Sequence, residues 1–186
     1  RVVISSFIFI LSLLYFECNI CVSENRAKWF KKKISFFSHK IKFIPNSVNT
    51  NFFKKDKKIK ENDYFKIGMA SRIDNTKKHE LIIKALNHHN LKSLNIILTF
   101  AGEGNNLVRL KNLVKSYNLQ NKVEFVGIMD ERKLKFWYKE LNLYVQATAG
   151  EGMSISIFEA MSMEVPVLGS NVLGVKNILG KKKYVG

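Results

Sequence analysis

The stretch Leu94-Asn-Ile-Ile-Leu-Thr-Phe-Ala-Gly-Glu-Gly104 decides the fold. A strand that meets water on one face alternates apolar with polar residues, whereas a nearly continuous apolar run such as Leu94 to Ala101 is the mark of a strand covered on both faces, as in a parallel sheet between helices. Upstream, Tyr64 to Ala70 is a second such run. It leads through Arg72-Ile-Asp-Asn-Thr-Lys77 into a helix carrying Leu81, Ile82, Ala85 and Leu86. Downstream, the spacing of Leu107, Leu110, Val114 and Tyr117 predicts a helix over 105–117, followed by a strand at 123–126. Leu134, Trp137, Tyr138 and Leu141 predict a helix over 130–140, and Leu143 to Gln146 a strand. Val165 to Gly169 and a short helix over 176–179 complete the series. Strands and helices in strict alternation imply an α/β fold, a doubly wound parallel sheet of Rossmann-like type.

In such a sheet ligands bind beyond the carboxyl ends of the strands. Arg72 follows the first strand, Gly102-Glu-Gly104 the second, Gly127 the third and Glu151 the fourth, so all fall on one edge. The last of these opens the stretch Glu151-Gly-Met-Ser-Ile-Ser-Ile-Phe-Glu159-Ala-Met-Ser-Met-Glu-Val-Pro-Val-Leu168. Gly152 has no Cβ and lets backbone come close to a ligand. Ser154 or Ser156 is a natural N-cap for a helix through Met163, whose free N–H groups and positive dipole end favour phosphate. Carboxylates beside a diphosphate would repel it, so Glu151 and Glu159 fit better as acceptors for sugar or ribose hydroxyls. Two incidental glutamates on an amphipathic helix are the plainer alternative. Arg72 and Lys77 flank a strand-to-helix turn, where a guanidinium fork and an ammonium can neutralise a diphosphate leaving group. Lys78 competes with Lys77 for that role.

The remaining features bound the answer. With 186 residues and 46% hydrophobic content the chain can bury a core. Its formal charge of +16, from 31 Lys and Arg against 15 Asp and Glu, is spread in runs such as Lys31–Lys33, Lys54-Lys55, Lys57-Lys58 and Lys181–Lys183. That pattern fits solvated faces, or a surface resting on anionic membrane; no nucleic-acid partner is expected. Cys18 and Cys21 lie in Cys18-Asn-Ile-Cys-Val22, which reads as a strand with the two side chains on opposite faces, and are expected to be structural cysteines of a reducing compartment; a short strand is expected over 19–23. Residues 2–16 are apolar but fall short of a span, and are expected to form a buried or interfacial helix. A helix over 24–37 and a strand over 41–44 follow. Gly102-Glu-Gly104 lacks the third glycine of a dinucleotide fingerprint and reads as a tight turn. His79 reads as a phosphate contact or, more commonly, a surface histidine; His88 and His89 sit at a helix end, where a cation is favourable, and His89 could equally cap the apolar face. No acidic pair or His/Glu cluster has metal spacing.

Five ordered pieces together resemble one family: Ile44-Pro-Asn-Ser-Val-Asn-Thr-Asn-Phe52, Gly68-x3-Arg72-x4-Lys77, Ala101-Gly-Glu-Gly104, Val123-Glu-Phe-Val-Gly127, and Glu151-x7-Glu159 running to Pro166-Val. Residues 44–179 look like the donor half of a family 4 glycosyltransferase of the GT-B fold, two facing Rossmann-like domains with the active site in the cleft. The resemblance implies retaining transfer of a sugar from a UDP- or GDP-linked donor to a glycan or lipid-linked acceptor, with no cofactor and no essential metal. It implies that Arg72 and Lys77 stabilise the departing diphosphate and Glu159 holds the ribose. It places Glu151 by the donor sugar, the backbone of Gly152, Met153 and Ser154 against sugar and phosphate, and Gly127 with Ile128 by the base.

On this reading residues 1–44 are the remnant of an acceptor domain, 45–62 a linker and 63–186 the donor domain, with a cytoplasmic or membrane-peripheral location. A fragment of this extent is expected to bind nucleotide sugar weakly and to transfer nothing. Ser47 and Asn49 stand where the family usually shows Gly and Asp, Glu164 where it shows Gly, and Lys176-Asn177 where it shows Pro-Glu. Another GT-B enzyme such as a sugar-nucleotide epimerase or a phosphorylase, a non-catalytic basic module, and an inactive relic are the competing readings. A pyridoxal chromophore would mark the phosphorylase and steep salt dependence the basic module.

Overall fold

The computed structural model describes residues 8, 11–55 and 63–180. The apolar segment 2–16, the linker 45–62 and the lysine-rich end, where the sequence alone suggests a strand over 183–186, therefore fall partly or wholly outside the described residues. The chain divides into two compact units, Arg1–Asn46 and Ser47–Gly186.

In the first unit, β1 (Asn19–Cys21) pairs in parallel with β2 (Ile41–Phe43). Between them lies α1 (Glu24–Lys33), which stops at Ile34 and gives way to a 3-10 turn over Ser35–Lys40. The predicted helix to residue 37 thus ends early, because Ile34 leaves the helical region at φ −126 and ψ 60. Leu13, Cys21, Ala27 and Ile41 form a small core here, with Phe30, Ile34 and Phe37 packed on it. Cys18 is exposed and Cys21 buried, and both are free thiols. No helix among the described residues is long and apolar enough to cross a membrane.

The second unit is the wound sheet. Its strands are β3 (Phe65–Ala70), β4 (Ile96–Ala101), β5 (Val123–Gly127), β6 (Leu143–Gln146) and β7 (Val167–Gly169). All neighbours are parallel, in the spatial order β5-β4-β3-β6-β7. The helices are α2 (His79–Leu86), α3 (His89–Lys92), α4 (Leu107–Ser116), α5 (Glu131–Lys139), α6 (Ile155–Ser162) and α7 (Leu173–Leu179). The last begins three residues before its expected start.

Two cores sandwich the sheet. One joins Met69, Leu98 and Phe100 to Ile83, Leu86, Leu110 and Val114 of α2 and α4. The other joins Ala101 and Tyr144 to Trp137, Tyr138, Ile157, Ala160 and Val175 of α5, α6 and α7. Burial of each large side chain contributes about 1.5–3 kcal/mol. The buried run of β4 thus reflects helices on both faces. Phe53 also enters the second core, edge-on to Tyr138 at 6.1 Å between ring centres, and its carbonyl accepts from Ser162 Oγ. An apolar groove of about 810 Å³, lined by Phe65, Ile67, Leu81, Ile82, Leu143 and Leu168 among others, holds none of the candidate site residues.

The strand order locates a crevice. From β3 the chain winds outward through β4 to β5, then returns past both to lay β6 on the other side of β3. Loops leaving β3 and β6 therefore diverge to opposite faces, which makes the gap between them the topological switch point.

Candidate functional site

The loop after β3 is shaped by Asp74. Its Oδ1 accepts from the backbone N–H groups of Thr76 at 2.9 Å and Lys77 at 3.1 Å, closing a turn that presents Lys77 toward β6. Burial works against the Asp74 charge, but those two N–H groups and the cations of Arg72 and Lys77 outweigh it and hold the carboxyl below its usual range. The turn is then tied to the loop after β6. Lys78 N–H donates to the Ala147 carbonyl and Ala149 N–H to the Thr76 carbonyl, each at 2.9 Å, with Lys77 and Thr148 bridged between them.

Two residues predicted from the sequence meet across this seam. Lys77 Nζ forms an ion pair and hydrogen bond with Glu151 Oε2, and the side chains are only 13% and 15% exposed. Gln146 Nε2 donates to the same oxygen at 3.2 Å, and Gly152 N–H donates to the other carboxylate oxygen at 3.2 Å. Gln146 is itself oriented, since its Oε1 accepts from Tyr144 Oη at 2.8 Å, and that hydroxyl also lies 3.2 Å from the Ala70 carbonyl. Ser156 Oγ reaches Gln146 at 3.5 Å and lies 2.9 Å from Ser154 Oγ. Ser154 is the N-cap of α6, yet its hydroxyl makes no capping bond, so this helix start keeps its N–H groups without the side-chain acceptor expected of it.

Glu159 belongs to a second cluster one turn along α6. Tyr138 Oη donates to Glu159 Oε2 at 2.9 Å and lies 3.2 Å from the Ser156 carbonyl. Burial pushes the Glu159 carboxyl up, and the Tyr138 bond only partly offsets that. Arg72 is 83% exposed and pairs with Asp74 at 3.5 Å. Gly127 ends β5 at φ 73, and Ile128 beyond it is 74% exposed. Met153 is half-buried in the loop before α6. The structure thus brings Lys77, Glu151, Gly152 and Ser154 into one connected network, holds Glu159 beside it through Tyr138 and Ser156, and leaves Arg72, Gly127 and Ile128 on the same carboxyl edge.

Close backbone packing fixes that edge. A Cβ on Gly102 would lie 2.1 Å from the Ser71 carbonyl oxygen, and one on Gly104 2.2 Å from that of Ile73. Gly102 also takes φ 128, which L side chains avoid. The reciprocal bonds run from Ser71 N–H to the Ala101 carbonyl, Ile73 N–H to Glu103, and Gly102 N–H to Gly127, at 2.9, 2.8 and 2.7 Å. Gly102-Glu-Gly104 is a tight turn wedged against the loop that bears Arg72.

His79 differs from its expected surface position. It is 1% exposed, its ring meets Phe100 edge-on at 5.0 Å, and its Nε2 lies 3.2 Å from Ser71 Oγ. Burial lowers its pKa to about 4, so the ring stays neutral at pH 7. An apolar-face position in α2 is the signal that could have flagged this, since Ile83 and Leu86 follow at helical spacing. No sequence motif singles out Gln146, Tyr138 or Tyr144. Among them only the polar end of the strand Leu143–Gln146 carries a signal. Among the described residues no group of three His, Cys, Asp or Glu side chains is placed to hold a metal ion.

Protein CapJ of Staphylococcus aureus is 31% identical over 157 residues, which are 83% of this chain and 39% of CapJ. The O-antigen biosynthesis glycosyltransferase WclY of Escherichia coli is 26% identical over 168 residues, 86% of this chain and 44% of WclY. The chain therefore spans about two fifths of either relative. Among solved structures, Anabaena HepE in complex with UDP and glucose aligns at a TM-score of 0.75 with 18% identity, covering 92% of this chain and 49% of HepE, a likeness of fold. The family described as glycosyl transferases group 1 matches residues 50–186. The chain belongs to the glycosyl transferases group 1 family, and its second unit has the GT-B type of parallel sheet.

Proposed function

We propose that this chain carries the donor site of a retaining glycosyltransferase, which moves a sugar from a nucleotide diphosphate to the hydroxyl of a glycan or lipid-linked acceptor. The observation that carries the proposal is the Lys77–Glu151 contact at the β3–β6 switch point, beside the uncapped start of α6. Lys77 and the start of α6 offer positive potential for a diphosphate. Arg72 is exposed enough to swing from Asp74 onto the same group, where its fork can bind bidentately. Charge on the leaving diphosphate grows as the glycosidic bond breaks, so two cations aimed there lower the barrier without a metal ion.

Glu151 then accepts from the sugar hydroxyls and Glu159 from the ribose, with Tyr138 holding the latter carboxylate in place. The backbone of Gly152, Met153 and Ser154 lines sugar and phosphate, and Gly127 with Ile128 lies by the base. The complex of Anabaena HepE with UDP and glucose supports a nucleotide sugar as ligand. The basic surface, at +16, supports work at the cytoplasmic face of an anionic membrane.

Calorimetry of the 186-residue chain with UDP, GDP, UDP-glucose, UDP-N-acetylglucosamine and GDP-mannose tests the proposal. Arg72→Ala and Glu159→Ala are each expected to weaken binding by about tenfold or more, equivalent to ~1.4 kcal/mol. Absence of nucleotide binding, or binding indifferent to Glu159→Ala and steeply salt-dependent, would point to a non-specific basic surface instead.

A further inference from the structure

The Glu151 carboxylate is engaged at both oxygens. Its Oε2 takes the Lys77 ammonium and the Gln146 amide, and its Oε1 takes the Gly152 N–H. An ammonium, an amide and a loop N–H at a helix start are also the donors that a phosphate oxygen seeks. Gln146 cannot turn its oxygen toward them cheaply, because Tyr144 Oη, buried with it, already donates to Oε1.

We propose that Glu151 occupies the diphosphate's donors until a nucleotide sugar binds, and that the sugar draws it off Lys77. This rests on the donor-site reading above. A nucleotide sugar brings hydroxyl donors that satisfy the displaced carboxylate, and Lys77 passes to the diphosphate. A bare nucleoside diphosphate brings no sugar hydroxyls to that position. It must break a pair that is about six-sevenths buried, and it leaves the carboxylate short of a partner and close to its own negative charge. The site therefore prefers the loaded donor over the spent nucleotide, and Glu151 helps expel the product once the sugar has gone.

Glu151→Gln separates this from a purely structural or purely attractive role. An uncharged amide at this position releases Lys77, so UDP and inorganic pyrophosphate are expected to bind about tenfold tighter than to the native chain, ~1.4 kcal/mol. The preference for UDP-glucose, UDP-N-acetylglucosamine or GDP-mannose over the matching diphosphate is expected to shrink by a similar factor. Circular dichroism and the thermal midpoint with and without UDP establish that the variant is folded. Should it not fold, Glu151→Asp withdraws the carboxylate by one methylene and is expected to move both quantities the same way, by about threefold, ~0.7 kcal/mol.

A folded variant that binds UDP no more tightly than the native chain overturns the competing role of the carboxylate, and the donor site survives if native UDP binding still depends on Arg72. A native chain that prefers none of the three sugars to its diphosphate also overturns it. A native chain that binds no nucleotide at all removes the donor-site reading and this inference with it.

Discussion

Replacing Gly174 by alanine probes the site from the far end of the chain. Gly174 is the second residue of α7, and its Cα faces the loop that holds Glu151. An added Cβ would sit 2.1 Å from the Glu151 carbonyl oxygen and 2.6 Å from that of Gly152, both of them backbone. Ordinary contact begins at 3.4 Å, so loop or helix must yield by about 1.3 Å. Overpacking of this kind costs about 1–3 kcal/mol. Against it stands the higher helix propensity of alanine, about 1 kcal/mol. Because the clash is with backbone and not with the end of a flexible side chain, the overpacking cost falls in the upper half of its range, about 2–3 kcal/mol. The net loss of about 1–2 kcal/mol corresponds to a fall in thermal midpoint of ~2–8 °C for a domain of this size. Calorimetric UDP binding is expected to weaken at the same time, because the displaced carbonyls belong to Glu151, whose carboxylate meets Lys77, and to the residue after it. A thermal midpoint equal to or above that of the native chain would refute the reasoning: it would mean that the helix gain prevails and the loop is not pinned.

Glu164 takes φ 57, so Glu164→Gly is expected to relieve left-handed strain of about 1–2 kcal/mol against about 0.5–1 kcal/mol of added chain entropy, a small gain in urea midpoint. Loss of the exposed Lys55 pair subtracts little from this gain. His79 has a folded pKa of about 4 against an ordinary 6.5, so the unfolded chain binds the extra proton between those values. Stability is fully present above pH 6.5 and falls by up to about 3 kcal/mol as pH drops to 4. The difference between native and His79→Gln urea curves isolates this slope, since the raised Glu159 pKa acts in the opposite direction in both. Tyr138→Phe removes the donor that restrains Glu159, and is expected to weaken UDP binding about threefold while costing ~1 kcal/mol of stability, read by calorimetry and thermal melts.

The wound sheet is legible in the sequence because periodicity records burial. The unbroken run to Ala101 and the helical spacing of Leu107, Leu110 and Val114 each report which faces are covered, and the structure has helices there. Boundaries drift where the chain obeys local geometry instead. Ile34 leaves the helix although Phe37 keeps the apolar phase, and α7 starts at Leu173 although Gly174 lowers its propensity. The residue type of His79 suggests the surface, and only its place on the apolar face with Ile83 and Leu86 signals burial; its partner Ser71 lies eight positions away across the loop. The placement of Glu164 shows the converse. The sequence marks it only as a residue in a glycine's usual place, and the backbone explains why, since the chain there requires a positive φ.

The Lys77–Glu151 contact is invisible in the sequence for a deeper reason. Its members are 74 positions apart, and nothing local in either stretch names the other. What joins them is the return of the chain from β5 to β6, which places the β6 strand beside β3 and sews Thr76, Lys77 and Lys78 to Ala147, Thr148 and Ala149. The site is therefore a property of the completed sheet. A change that loosens β6 or the turn before α6 must act on Lys77 even though it touches no cation. This gives Gly174 its leverage: the helix that follows the last strand presses on the loop after β6, and that loop positions the carboxylate against the lysine after β3.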